Sequence, residues 1–236
     1  MFVETAPNFG NMKGIVEGVS RFRCDVFPQQ RALYSQLARE GQQPKALIIS
    51  CADSRVVPEL IAQAGPGELF VCRNAGNIVP PFAESNGGVS SAIEYAVVAL
   101  GVRDIVVCGH SDCGAMKGLL TPGALDAMPN VKAWLRHSHA AHGVVQSAYP
   151  ADLTGPQAAT IMAQENVLAQ LTHLRTHPSV ASGLATGRLT LHGWFFRLDD
   201  GVLLALDGET ERFLPVDGAS PFPVAVVSQP RRMAAE

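Results

Sequence analysis

The stretch Ala46-Leu47-Ile48-Ile49-Ser50-Cys51-Ala52-Asp53-Ser54-Arg55 carries the clearest structural signal in the chain. Its first four residues form an apolar run with no polar alternation, which reads as a fully buried strand. The strand runs straight into Cys51, and Asp53 and Arg55 follow at steps of two. A second stretch has the same grammar. Asp104-Ile105-Val106-Val107-Cys108 is another buried strand, and it runs into His110-Ser111-Asp112-Cys113-Gly114. Each strand thus delivers metal-ligating side chains at its carboxyl end, the edge where open α/β sheets bind their ligands.

Working outward, strands and helices alternate. Residues 12–23 predict an amphipathic helix with Ile15, Val19 and Phe22 on one side. A second helix is expected to start at Pro28 and run through Leu37, with Leu33, Tyr34 and Leu37 inward, ending near Gly41. Glu68–Cys72 reads as a strand, followed by a Gly/Pro/Asn-rich loop from Asn74 to Gly88. Val89–Leu100 has helical periodicity and stops at Gly101. Helical patterns cover Pro129–His142 and Ala158–Arg175. Leu189–Trp194 is a fourth strand, and Gly201–Leu206 a fifth, joined through the turn Asp199-Asp200-Gly201. The expected architecture is α/β: a mostly parallel central sheet of four to five strands flanked by helices, with an N-terminal helical arm over about 12–40. No repeat or interdomain linker is visible, so a single domain is expected to span 1–236. Its Pro/Ala-rich tail, about 218–236, is expected to be extended or mobile.

Composition narrows the function. The 236 residues suffice for a full core. Hydrophobic residues make up 47% and charged residues 17%, apolar enough to suggest buried subunit interfaces. A formal net charge of -3 argues against a nucleic-acid partner, which needs a basic face. No apolar run reaches the ~20 residues of a membrane helix. Residues 1–13 lack the apolar segment of a secretory signal. The five cysteines are an odd number with no disulfide spacing. Reduced thiols free to bind metal suit the cytoplasm.

Two cysteines and a histidine at two strand ends are more than packing. Thiolate and imidazole are the ligands zinc prefers, and three protein ligands leave the fourth tetrahedral position open for water. A His-x-x-Cys spacing lets His110 and Cys113 converge on the ion with Cys51. Taken singly, each cysteine would be a buried core thiol. Asp53 can reach the open position, where a free carboxylate would coordinate zinc and close the site. Arg55 can prevent this by holding Asp53 in a bidentate clamp. In an arbitrary chain, Asp53 and Arg55 would be an ordinary surface pair. Their adjacency to Cys51 reverses that preference.

Cys-x-Asp-x-Arg with a distant His-x-x-Cys resembles the signature of the β-class carbonic anhydrases. The likeness extends to Gly67-Glu68-Leu69-Phe70-Val71-Cys72-Arg73-Asn74-Ala75-Gly76-Asn77 and to Ala92-Ile93-Glu94-Tyr95-Ala96. Gln42-Gln43-Pro44-Lys45 resembles the plant-type branch, and coverage runs from about Met12 to about Pro223. The resemblance implies one Zn2+ per chain on Cys51, His110 and Cys113, with Asp53 and Arg55 as the catalytic dyad. It implies that Gln42 donates a hydrogen bond to bicarbonate from a neighbouring subunit, and that Phe70, Ala75 and Tyr95 line a small apolar pocket for CO2. Ala52 stands where the family usually has Ser. Ala75 stands where it usually has Val, which would leave the pocket slightly roomier. The implied activity is zinc-dependent interconversion of CO2 and bicarbonate in a homodimer unit that could pair further into a tetramer or octamer. Two alternatives stay open: hydrolysis of carbonyl sulfide or carbon disulfide on the same fold, and a structural zinc protein with Asp53 as a permanent fourth ligand.

The resemblance also separates two branches by regulation. In one, bicarbonate breaks the Asp–Arg pair and lets the Asp close the zinc. That branch carries a Trp three residues before the first zinc Cys and a Gly immediately before it. Here those positions are Ile48 and Ser50, so the expectation is an open site with Asp53 clamped by Arg55. The remaining candidates take plainer readings. His137, His139 and His142 do not share one helix face and read as solvated surface. His173 and His177, four apart on a predicted helix, could share a metal, yet no acidic or Cys partner follows; His177 before Pro178 reads as a cation at a helix end. Cys24, Cys72 and Cys108 read as packing, and Asp112 as a polar loop residue. No phosphate-binding glycine motif is present.

Overall fold

A computed structural model describes residues 12–83 and 87–216; the expectation for the 218–236 tail lies outside these residues. The chain divides into two compact units, Met1–Gln42 and Gln43–Glu236.

In the first unit, α1 (Lys13–Arg21) passes through a wide π-helical turn, Phe22–Val26, into α2 (Phe27–Glu40). The two helices expected from the sequence are therefore one nearly continuous rod. The widening sits just before Pro28, whose nitrogen cannot donate to the carbonyl four residues back. Phe22, Phe27 and Tyr34 cluster across the junction, with ring centroids 5.5 to 6.2 Å apart. Gly41, at φ +81°, ends the rod, and its N–H donates to the Leu37 carbonyl. Ile15 and Val19 are 59% and 62% exposed, so the apolar stripe of α1 is uncovered in the single chain. Cys24, expected to pack, is exposed.

The second unit is built on a sheet of β1 (Ala46–Cys51), β2 (Leu69–Asn74), β3 (Asp104–His110), β4 (Thr190–Phe196), β5 (Leu203–Leu206) and β6 (Phe213–Pro215). The order is β2-β1-β3-β4-β5-β6. The first four strands are parallel, and β5 and β6 add antiparallel at one edge. Among the described residues the sheet thus has six strands rather than four to five. The sixth is three residues long and contains a Pro, too short to leave a pattern. Two helical pieces carry no distinct sequence signal, α3 (Pro58–Ile61) and α9 (Pro178–Ala185), while α5 (Gly114–Leu120) is entered directly from the turn at Cys113.

Helices α4 (Gly88–Glu94), α8 (Gly155–Leu174) and α9 cover one face of the sheet. There Leu47, Ile49, Ile105, Val107 and Leu191 meet Ile93, Val167, Leu171, Leu174 and Val180 in one hydrophobic core. Helix α8 lies close because β3 and β4 carry glycines beneath it. A Cβ on Gly109 would stand 2.8 Å from Val167, and one on Gly193 would stand 3.1 Å from both Leu171 and Val167. Helices α6 (Pro129–Leu135) and α7 (His139–Ala148), with a 3-10 turn between them, close over the carboxyl-end cluster around Met116, Leu135 and Phe195.

The topology fixes where chemistry can occur. The chain leaves β1 for β2 on one side, while β3 continues to β4 on the other. The crevice beyond the carboxyl ends of β1 and β3 is therefore the switch point of the sheet. Cys51 ends β1 and His110 ends β3.

Candidate metal centre

Cys51, His110 and Cys113 come together at the switch point. All three are buried, and their ligand atoms lie within 4.8 Å of one another. The sulfurs of Cys51 and Cys113 are 4.0 Å apart. Two sulfurs at the usual zinc–thiolate distance and the tetrahedral angle would stand ~3.8 Å apart. The imidazole is already prepared. Nδ1 of His110 lies 2.8 Å from the Ser111 carbonyl, which can only accept, so Nδ1 carries the hydrogen and Nε2 offers its lone pair. Nε2 is buried with no hydrogen-bond partner among the described residues. A buried nitrogen left unpaired beside two sulfurs is costly unless a cation completes it. The donor set fits a metal ion.

The thiols differ in their surroundings. Hydrogen bonding with Cys113 holds Cys51 well below the ordinary thiol range; burial opposes this, while the nearness of the His110 ring, outside hydrogen-bond geometry, and the backbone amides of Asp53 and Gly76 lower it further. Cys113 is pushed up by sharing that hydrogen with Cys51 and by burial. The pair therefore keeps one proton that a metal would displace. Cys108, fully buried on the neighbouring strand, is pushed up to about 12 by burial and stays a neutral packing group.

Asp53 stands beside this group without joining it. Its Oδ2 lies 4.0 Å from His110 Nε2. Arg55 grips both carboxylate oxygens: Nε donates to Oδ1 at 2.9 Å and an Nη donates to Oδ2 at 2.8 Å. The Arg55 backbone N–H adds a third bond to Oδ1 at 3.0 Å. These bonds hold the Asp53 carboxyl well below the usual carboxylate range, and burial opposes them only in part. The expected clamp is present.

Two further side chains hold the clamp, and neither was a site candidate on sequence alone. Asp112, read there as a polar loop residue, accepts from Arg55 Nη1 at 2.9 Å and pairs with Lys117. It reaches Arg55 because its backbone is left-handed, at φ +59°. Arg73 on β2 donates to the Asp53 carbonyl at 2.7 Å and to the Cys51 carbonyl at 3.2 Å, tying the loop that carries both residues. Its position on β2 three residues past Phe70 was the only available hint.

The other expected site residues are less concentrated. The rings of Phe70 and Tyr95 meet at 5.9 Å, tilted by 44°. Ala75 lies exposed in the loop after β2, where its carbonyl accepts from Trp134 Nε1 at 3.0 Å. Gln42 is the exposed last residue of the N-terminal unit. His137 and His142 are half-buried and His139 is exposed, and they form no metal-ligating group among the described residues. His177 is not a cation at a helix end. It is 2% exposed, donates from Nε2 to the Pro80 carbonyl at 3.0 Å, and burial lowers its pKa.

Residues 46–203 match the family model for carbonic anhydrase. The chain is 50% identical over 203 residues to the carbonic anhydrase of Pseudomonas aeruginosa, covering 86% of this chain and 91% of that one. It is 48% identical over 205 residues to carbonic anhydrase 1 of Escherichia coli O157:H7, covering 87% and 92%. Among solved structures, the β-carbonic anhydrase CcaA superposes with a TM-score of 0.84 at 45% identity, covering 88% of this chain and all of that one. One of the tetrameric β-carbonic anhydrases of Sordaria macrospora gives 0.73 at 30% identity, covering 83% and 96%. No helix among the described residues is long and apolar enough to cross a membrane. The chain belongs to the β-class carbonic anhydrases and is an enzyme of that family.

Proposed function

We propose that the chain interconverts CO2 plus water with bicarbonate plus a proton, using one zinc ion held by Cys51, His110 and Cys113. The observation that carries this reading is the unpaired, buried Nε2 of His110 beside two sulfurs, with a carboxylate 4.0 Å away and held back by an arginine. Zinc bound there would lower the pKa of a water toward about 7.

The chain's residues then have distinct tasks. Asp53 stays ionised through the clamp and can accept a hydrogen from the attacking water, turning a lone pair toward carbon. Arg55 keeps that carboxylate from taking the water's place. Asp112 and Arg73 fix the guanidinium and the loop. Phe70, Ala75 and Tyr95 would offer CO2 an apolar surface, and Gln42 of a second copy would donate to bicarbonate. The clamp also weighs against a purely structural metal, for which Asp53 would be a ligand. Cytoplasmic thiols, kept reduced, would be available to the metal.

Stopped-flow CO2 hydration with a pH indicator, alongside metal analysis, tests the proposal. The expected result is one zinc per chain and rapid hydration that disappears on chelation. A protein with a full complement of zinc and no hydration above the buffer rate would overturn it.

A further inference from the structure

The loop after β2 aims a backbone amide at a metal-ligand sulfur, and a buried side chain from α8 holds that amide in place. The Gly76 N–H donates to Cys51 Sγ at 3.4 Å. The carbonyl of the same residue accepts from Asn166 Nδ2 at 2.9 Å. Asn166 is fully buried. Its amide orientation is settled by a directional chain of bonds. The Val79 N–H must meet an oxygen, so Gln170 turns Oε1 toward it at 2.8 Å. Gln170 then presents Nε2 to Asn166 Oδ1, also at 2.8 Å. The Ser138 hydroxyl donates to the same Oδ1 at 2.7 Å. Only the nitrogen of Asn166 is left to face Gly76. Gly76 itself has little freedom: its φ is +79°, and an added Cβ would lie 3.0 Å from Met116 Cε and 3.3 Å from Ala115 Cβ.

We propose that Asn166 is a positioning residue for Cys51: by fixing the Gly76 peptide, it keeps an N–H on the ligand sulfur and so limits the charge that this thiolate gives the metal. The need is chemical. Two thiolates neutralise a dication and leave it a weaker acid for water than three imidazoles would. A hydrogen bond to one sulfur withdraws part of that charge and restores acidity. Groups outside the ligand set commonly act in this way. The inference rests on Cys51 being a metal ligand.

The test uses the full chain loaded with cadmium-113. Proton–cadmium correlation spectra should show coupling from the Cys51 β-protons through the metal–sulfur bond, and from the Gly76 amide proton across the hydrogen bond. Coupling to Cys51 without coupling to Gly76 overturns this inference alone. Absence of Cys51 coupling overturns the metal assignment beneath it. In Asn166→Ala, the Gly76 coupling should be lost and the cadmium resonance should move. With zinc, kcat should drop about tenfold at neutral pH, and the midpoint of its pH profile should shift upward with KM unchanged. If that variant does not fold, Asn166→Asp keeps the oxygen that serves Ser138 and Gln170 and replaces only the donating nitrogen. Ser138→Ala is the control. It removes a neighbouring bond of the same network, so it should lower stability and leave the Gly76 coupling and the pH midpoint in place. A folded Asn166 variant with an unchanged cadmium resonance and an unchanged midpoint would refute the proposal.

Discussion

Arg55 satisfies two carboxylates at once, and the charge balance of the site depends on it. Hydrogen bonds to Asp53 first, then to Asp112, raise its already high pKa, so it stays charged wherever the protein is folded. In Arg55→Ala, the Asp53 carboxylate loses both guanidinium bonds, keeps only the backbone N–H of residue 55, and lies one short movement from where the metal would sit. The expected outcome is loss of hydration activity with zinc content intact, checked by metal analysis and stopped flow on the same sample. Retention of more than about a tenth of the activity would mean that the clamp does not keep Asp53 off the metal. Cys113→Ala should behave differently, losing zinc and activity together. Removing one of three ligands costs binding itself, whereas removing the guard leaves binding and closes the site. The candidate ligands Cys51, His110 and Cys113, and the Asp53–Arg55 pair beside them, were legible because Cys, His and Asp-x-Arg carry their chemistry in their identity. Asp112 was not, because its role depends on a left-handed turn that brings it back over Arg55.

At the scale of elements, α8 does more than cover the sheet. Asn166, Gln170 and His173 along its length bond the backbone of the loop after β2 at Gly76 and Val79, and His177 beyond its end takes Pro80. The helix can do so because Gly109 and Gly193 let it lie close on β3 and β4. Gly109→Ala is therefore expected to cost about 1–3 kcal/mol in denaturant unfolding, since the new methyl meets Val167 and the Ala163 carbonyl with no space to give. A change below the error of the measurement would show that the helix can move away at no cost. His177 gives the same region a dependence on pH. Burial holds its pKa below the ordinary value, so the unfolded chain binds the proton more readily than the folded one. Stability from this residue is full above the unfolded pKa of about 6.5 and is lost as pH falls below it. His177→Gln keeps a donor for Pro80 and removes the titration. Between pH 7 and 5 its Tm should fall less than that of the parent; parallel curves would rule out a buried neutral histidine. Periodicity revealed α8 as a helix, but its inward polar side chains gave no hint of their partners. Those partners lie some 90 residues away, in a loop that shows no periodicity at all.

At the scale of the whole molecule, the single chain leaves apolar surface uncovered on both of its units. On the arm, Ile15 and Val19 are more than half exposed; on the body, Leu60 and Val98 are 66% and 70% exposed. Surfaces of this kind on a chain with 47% hydrophobic residues point to association. The sequence announced the amphipathic arm, because Ile15, Val19 and Phe22 recur at helical spacing. It could not say what that stripe meets, since an interface between copies leaves the same periodicity as a core within one. The expected outcome in light scattering is a mass of at least twice the 25.0 kDa of one chain at micromolar concentration. Replacing Ile15 and Val19 together by Lys puts two charges on the stripe, and the mass should fall toward that of one chain. If Gln42 of a second copy completes the substrate site, the monomeric variant should keep its zinc and lose most of its turnover, because Cys51, His110 and Cys113 all belong to one chain. A monomer that hydrates CO2 at the parent's rate would show that the site is complete within a single copy.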